Sequence, residues 1–415
     1  MRFVISSFRS NYYPALRHRS LNASSSPLAP SHRAFSALNS LNQGAMARTI
    51  SNHKVPQISP AWTQNNAWSS PGPAAFDVRS DVVTTPTSAM LNAIASTTLL
   101  DDVFAEDPTT NNLESYVADL AGKESGILVL SGTMGNQVSL RAHIASPPTG
   151  ILCDKRSHIV QYEAGGASSL SGAMLQTVIP KNGCYLTCEE IAKEAVLSDD
   201  IHACPTKIIS LENTLNGMVL PLSEVKKISM FAKEHGIIMH LDGARLWEAV
   251  VSGAGDLREY CSYFDSISLC FSKGLGAPIG SIVVGSASFV KRARWIRKML
   301  GGGLRQAGVV SAAARVAIED TFLGGKLKKT HENALLIERM WTKRGGKLVH
   351  PVETNMVWLD IEAAGISHDE FVEAAKKHGI RSSGGRLVIH YQIGEEAIKR
   401  LEALFESLLA PKARI

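Results

Sequence analysis

The chain has 415 residues, 45% of them hydrophobic and 20% charged, with a formal net charge of +5. That balance suits two globular domains with extensions, and excludes fibrous or low-complexity architectures. No stretch reaches the about eighteen uninterrupted apolar residues of a membrane helix, and so modest a charge gives little reason to expect a nucleic-acid or membrane partner. Six cysteines (Cys153, Cys184, Cys188, Cys204, Cys261 and Cys270) form no CxxC pair. They read as reduced thiols, with no metal site expected.

Residues 1–76 contain no Asp or Glu, yet carry Arg2, Arg9, Arg17, Arg19, Arg33 and Arg48 among many serines. This composition predicts a mitochondrial transit peptide over residues 1–75. The alternatives are a disordered tail, or a cytoplasmic protein started at Met46. Order is expected from Phe76, where FDVRSDVVTTPTSAML reads as a short extended piece. Thr87 or Ser88 then caps a helix to Ala95, and Asn111 or Asn112 starts another that Gly122 ends. An apolar strand at 127–131 runs into Ser131-Gly132-Thr133 and a helix through Ile144. Small residues at a helix start leave backbone N–H groups free for an anion, although an ordinary strand-to-helix turn looks the same. No Gly-Lys-Ser/Thr follows, so this is not a nucleoside-triphosphate loop.

Further strands are expected at 151–154, 207–213, 237–242, 267–271 and about 281–285, with a helix from Pro221 to about His235. Strand and helix alternate, which argues for a mostly parallel sheet with right-handed crossovers. A basic helix at 290–300 reads as a solvated face or subunit contact. Helices at 308–321 and 328–344 follow. From about 325 the pattern becomes a smaller α+β unit, with strands at 355–361 and 386–391 and helices at 367–378 and from 395. The fold class is therefore α/β, with a mostly parallel large domain over 76–324 and a small C-terminal α+β domain over 325–415.

Two residues carry the chemistry. Asp242 closes the apolar run IIMHLD, and Lys273 follows the apolar run ending at Phe271. Both runs read as buried strands, whose carboxyl ends are where α/β sheets place ligands. A carboxylate and an amine so placed are what a pyridoxal phosphate site needs. The amine bonds the aldehyde, and the carboxylate pairs with the pyridine nitrogen.

The segments VRSDVVTTPT, DDVFAEDPTTNNLE, SGTMGNQ, SLENTLNG, HLDGAR, SKGLGAPIGS, GGGLRQAG and TNMVWLD stand in fixed order, with the His158–Gly166 run and the Arg386 strand. This set resembles the low-specificity, fungal-type L-threonine aldolases, in the β-eliminating-lyase-like branch of the pyridoxal phosphate-dependent transferase fold type I. The resemblance implies cleavage of L-threonine, L-allo-threonine and other β-hydroxy-α-amino acids to glycine and an aldehyde. By the same resemblance, Lys273 is the cofactor-bearing lysine, Asp242 the pyridine partner and His158 the ring-stacking imidazole. Ser131, Gly132 and Thr133 are implied to hold the phosphate. Ser80, Arg245 and Arg386 are implied to clamp the substrate carboxylate, Arg245 also lying beside the cofactor. A homo-oligomer, dimer or tetramer, is implied as well, with Lys298 and Arg305 reaching a neighbouring subunit's site. Arg245 in a structural ion pair is the competing reading. Two positions depart from the pattern. Leu215 stands where many members carry a His, and Phe104 where a Tyr is common. Tyr162, Gln161 and His158 remain to serve the substrate hydroxyl. An alanine racemase on the same scaffold is the alternative activity, since racemisation needs no β-hydroxyl contact.

Overall fold

A computed structural model describes residues 67–410. The stretch on which the mitochondrial expectation rests, including Met46, lies outside the described residues except for 67–75. Order begins before Phe76. Trp68 packs against the large core and its carbonyl accepts a hydrogen bond from Ser88 Oγ at 2.9 Å. A large aromatic residue that finds an apolar surface holds its backbone with it.

Seven strands form the large sheet: β1 (Ser125–Val129), β2 (Gly150–Asp154), β3 (Met174–Val178), β4 (Thr206–Glu212), β5 (Ile238–Asp242), β6 (Ser266–Cys270) and β7 (Ser281–Gly285). Their order is β1-β7-β6-β5-β4-β2-β3. All neighbours pair parallel except β7, which runs antiparallel to both β1 and β6. β2, β6 and β7 are buried at every position, the pattern of strands covered on both faces. Edge strand β3 is half exposed and has no apolar run, which is why the sequence pattern misses it. The helix Cys188–Glu194 is missed too, although Thr187 and Glu190 close a capping box at its start.

A smaller antiparallel sheet follows, with β8 (Lys347–Leu348), β9 (Met356–Asp360) and β10 (Arg386–Val388) in the order β10-β9-β8. It has its own apolar cluster around Trp341, Phe371 and Phe405. The larger cluster includes Trp247, Tyr260 and Phe271. Truncating Phe271, fully buried there, costs about 3–5 kcal/mol on the scale of large-to-small core changes.

One expectation needs correction. The segment after Phe76 is extended only as far as Val78, whose N–H donates to the Arg381 carbonyl. Then Asp81–Val83 forms a 3₁₀ turn, with Ser80 Oγ accepting from the Val82 N–H. That turn carries Asp81 inward. The basic helix, Ala287–Met299, presents Lys291, Trp295 and Lys298 to solvent and spends its other charges inside its own chain. Arg292 donates to the Ala142 carbonyl, Arg294 pairs with Glu114, and buried Arg297 pairs with Asp102 at 2.5 Å.

Candidate active site

Glu212 ends β4, Asp242 ends β5, and the two are register partners on adjacent parallel strands. Lys273 follows the end of β6 by three residues. Its carbonyl accepts from Thr84 Oγ1 and from the Gly276 N–H, both at 2.9 Å. This tight turn needs Gly276, which sits at φ +87° with Tyr391 against the place a Cβ would occupy. Lys273, Asp242 and Glu212 are thus brought to one edge of the sheet, the edge where parallel sheets place ligands.

The Asp242 carboxylate is buried and oriented. Its Oδ1 accepts the Ala244 N–H at 3.1 Å, and its Oδ2 accepts Asn136 Nδ2 at 2.7 Å. His158 starts a short helix over this edge, and its backbone N–H donates to Glu212 Oε2 at 2.8 Å. Its Nδ1 lies 2.7 Å from Glu163 Oε1. That bond raises the imidazole pKa against the opposing pull of burial. Glu163 is itself held by Asn136 Nδ2 at 2.8 Å and Gln137 Nε2 at 2.6 Å. Asn136, Gln137 and His158 therefore point N–H donors at the carboxylates, an arrangement that organises protons rather than a cation.

Glu212 is half-buried, and desolvation together with the Asp242 charge pushes its carboxyl up to about 8. A neutral acid beside an ionised one is how two carboxyls share a small space. Lys273 exerts a charge effect on Glu212, His158, Asp81 and Cys270, so its amine faces this same space.

The helix Gly132–His143 begins at the same edge, with Ser131 capping the Met134 N–H at 3.1 Å. A Cβ on Gly132 would stand 2.7 Å from Cys270 Sγ, so only glycine lets the helix start lie against the end of β6. The first-turn amides of Gly132 and Thr133 are the orphan donors of any helix start, suited to an anion.

The two arginines expected to clamp a carboxylate differ. Arg245 is committed to Asp81, with Nε to Oδ2 at 2.8 Å and Nη2 to Oδ1 at 2.5 Å. Burial alone would raise the Asp81 pKa, but Arg245 outweighs it and holds the carboxyl well below the usual range. The fork expected to hold substrate is therefore filled from within the chain. Arg386, on β10, has no acidic partner within ion-pair distance among the described residues. Its Nη1 donates to the Arg79 carbonyl at 3.2 Å, its Nη2 lies 3.8 Å from Met356 Sδ, and its guanidinium sits 5.7 Å from the Trp358 ring centre. Burial and the neighbouring Arg245 charge lower its pKa. Ser80 precedes Asp81, donating its hydroxyl to that carboxylate at 3.4 Å.

Other expected residues lie apart. Lys298 is exposed, and Arg305 pairs with Asp101 at 2.7 Å on the surface, so neither joins the site of its own chain. Gln161 is exposed and donates to the Lys155 carbonyl at 2.7 Å. Tyr162 is exposed, its ring 5.5 Å from that of His158. Leu215 is buried in a small cleft with Tyr185, Leu186, Leu211 and Glu212, while Phe104 is exposed. Sequence reading missed Asp81, Asn136, Glu163 and Glu212 as site residues. Each stands inside or beside a motif it did quote, but a motif does not say which of its polar side chains turns inward.

Comparison with known proteins agrees with this geometry. The beta-eliminating lyase family model matches residues 77–364. The chain is 57% identical over 342 residues to aldolase vrtJ of Penicillium aethiopicum, covering 82% of this chain and 88% of that protein. It is 46% identical over 352 residues to alanine racemase TOXG of Cochliobolus carbonum, covering 83% and 90%. It is 44% identical over 336 residues to a low-specificity L-threonine aldolase of Eremothecium gossypii, covering 80% and 88%. Among solved structures, the Leishmania major threonine aldolase superposes with a TM-score of 0.69 at 18% identity, covering 81% of this chain and all of that one. The α/β architecture is thus that of fold type I, and the chain belongs to the beta-eliminating lyase family.

Proposed function

We propose that this protein is a pyridoxal 5'-phosphate-dependent aldehyde-lyase that cleaves L-threonine, L-allo-threonine and related β-hydroxy-α-amino acids to glycine and an aldehyde. The observation that carries the reading is the meeting of Lys273, Asp242 and His158 at one sheet edge, with Arg386 left without an acidic partner. The residues present fit the cofactor. Lys273 supplies the amine, buried Asp242 the oriented carboxylate, His158 an aromatic face, and the Ser131–Thr133 helix start the phosphate donors. When bound, that group supplies an electron sink for the pair released from a bond at Cα.

The chain's own residues do the remaining work. Arg386, assisted by Ser80, receives the substrate carboxylate through a charge-assisted fork. Arg245 fixes Asp81 and the turn that presents Ser80. His158 is fixed by its Nδ1–H bond to Glu163, which leaves Nε2 on the open side to take or relay the β-hydroxyl proton. Glu212 supports His158 from behind. The aldolases among the relatives support cleavage over racemisation. The site is completed in a homo-oligomer, where Lys298 and Arg305 on the exposed surface reach a second copy.

Racemisation of alanine is the second reading, favoured by the apolar Leu215 next to Glu212 and by the racemase relative. L-Threonine and L-alanine supplied separately to the cofactor-loaded protein distinguish the two. Acetaldehyde and glycine from threonine are expected. D-Alanine from L-alanine, without acetaldehyde from threonine, would reverse the assignment.

A further inference from the structure

We infer that His240 is a positioning residue: through Asn136 it sets the orientation of the two carboxylates, Asp242 and Glu163, that face the cofactor site. This rests on the pyridoxal phosphate reading above and extends it to a buried chain of hydrogen bonds that no part of that reading uses.

The chain follows from two periodicities. On β5, His240 and Asp242 are two residues apart and so share a face. On the helix Gly132–His143, Asn136 and His143 are seven residues apart, two turns, and share a face as well. The helix packs across the strand, and the four side chains meet. His143 Nε2 lies 2.8 Å from Ser266 Oγ, and Ser266 Oγ lies 2.8 Å from His240 Nδ1. His240 Nε2 lies 3.1 Å from Asn136 Oδ1. Asn136 Nδ2 then reaches Asp242 Oδ2 at 2.7 Å and Glu163 Oε1 at 2.8 Å. Ser266 is the register partner of His240 on the adjacent strand.

Hydrogen-bond accounting gives this chain one direction. Both amide hydrogens of Asn136 face carboxylate oxygens, so its Oδ1 must be the atom facing His240. His240 therefore carries its proton on Nε2, and its bare Nδ1 accepts from the Ser266 hydroxyl. The single proton of Ser266 being spent, its oxygen accepts from His143 Nε2–H. This is the direction open to a neutral His240, since a cationic one would donate from Nδ1 and turn the Ser266 proton toward His143. Burial agrees, pulling His240 down to about 3 and His143 to about 4. The His143 ring is held by stacking on Phe289, with centroids 4.5 Å apart.

Every donor points toward the site. If the His240 Nε2–H is removed, the Asn136 carbonyl loses its partner. The amide is then free to rotate its oxygen onto the carboxylates, where it repels them. Asp242 and Glu163 lose their shared anchor, and His158, held through Glu163, loosens with them.

The test is binding of pyridoxal phosphate to the purified full chain, with its visible absorbance read in the same titration. His240→Phe keeps a flat ring but offers neither donor nor acceptor. It should bind about tenfold more weakly than wild type, the scale of one lost buried hydrogen bond, with a displaced visible band. His240→Gln can accept from Ser266 and donate to Asn136, and should restore both readings to within about threefold and the original band. His240→Phe with wild-type affinity and an unmoved band would overturn the relay. If His240→Phe does not fold, Ser266→Ala takes its place, since it frees His240 to exchange its proton between nitrogens. About two- to threefold weaker binding supports the relay, and no change overturns it. Wild-type protein that fails to bind pyridoxal phosphate sinks the cofactor reading and the relay with it. Wild-type binding with insensitive variants sinks the relay alone.

Discussion

The two walls of the site differ in how completely their charges are matched. On the large-sheet side, Asp242, Glu163 and His158 satisfy one another through Asn136 and Gln137, and Arg245 is closed on Asp81. On the small-sheet side, Arg386 has only a carbonyl, a thioether and an aromatic ring. A half-buried cation without an anion is costly in the free protein and ready for one that arrives. The difference teaches which wall is framework and which is receptor. The large sheet holds a fixed array, and the small sheet offers the open charge.

The comparison can be broken at several points. Lys273→Ala, on the large-sheet side, should cut turnover by at least about 10³-fold, measured as aldehyde release, while leaving the thermal melt near wild type. Near-normal turnover would remove Lys273 from the chemistry. Asp81→Ala leaves Arg245 buried and unpaired, and should cost about 3–5 kcal/mol in denaturant unfolding. A loss below about 1 kcal/mol would mean that the pair is not closed in solution.

Arg386→Gln should act in the opposite manner. The fold should be undisturbed or slightly stabilised, because a half-buried unmatched charge is removed. KM for the amino acid should rise about 10- to 100-fold, as expected for loss of a charge-assisted fork, with a smaller change in kcat. Should KM stay put and the melt collapse instead, Arg386 is framework and the contrast between the walls fails.

The smallest effect is a pH slope. The Glu212 carboxyl, pushed up to about 8 in the folded chain, lies above its ordinary value of 4.5. Between those values the folded chain holds a proton that the unfolded chain has released, so stability falls as pH rises through that window. Glu212→Gln removes this dependence. Without added cofactor, its melting temperature should gain on wild type by a few degrees between pH 5 and about 8. Parallel profiles would mean that the folded chain holds no proton on Glu212 in this window.

Much of this arrangement was legible in the sequence. The strands ending at Asp242 and before Lys273 were marked by short apolar runs, and the helix start at Ser131-Gly132-Thr133 by its small residues. Less legible were features that depend on where chain segments meet in space. Nothing local says that Asp81 turns inward to fill Arg245, because the partners are 164 residues apart. The 3₁₀ turn that delivers Asp81 replaced an expected extended segment, since β-branched residues near Val82 favour a strand until Ser80 caps the turn. Strand β3 and the helix Cys188–Glu194 escaped because edge elements bury too little to show a clear period. Glu163 and Asn136 sat within recognised motifs, but their hydrogen-bond roles appear only once the helix crosses β5.

The central claim is that Lys273 and Asp242 serve one cofactor. Borohydride reduction of the pyridoxal phosphate-loaded protein, followed by peptide mapping, tests it most directly. The account predicts one equivalent of covalently retained cofactor on the peptide that contains Lys273. Retention on another lysine, or none at saturating pyridoxal phosphate, would contradict it.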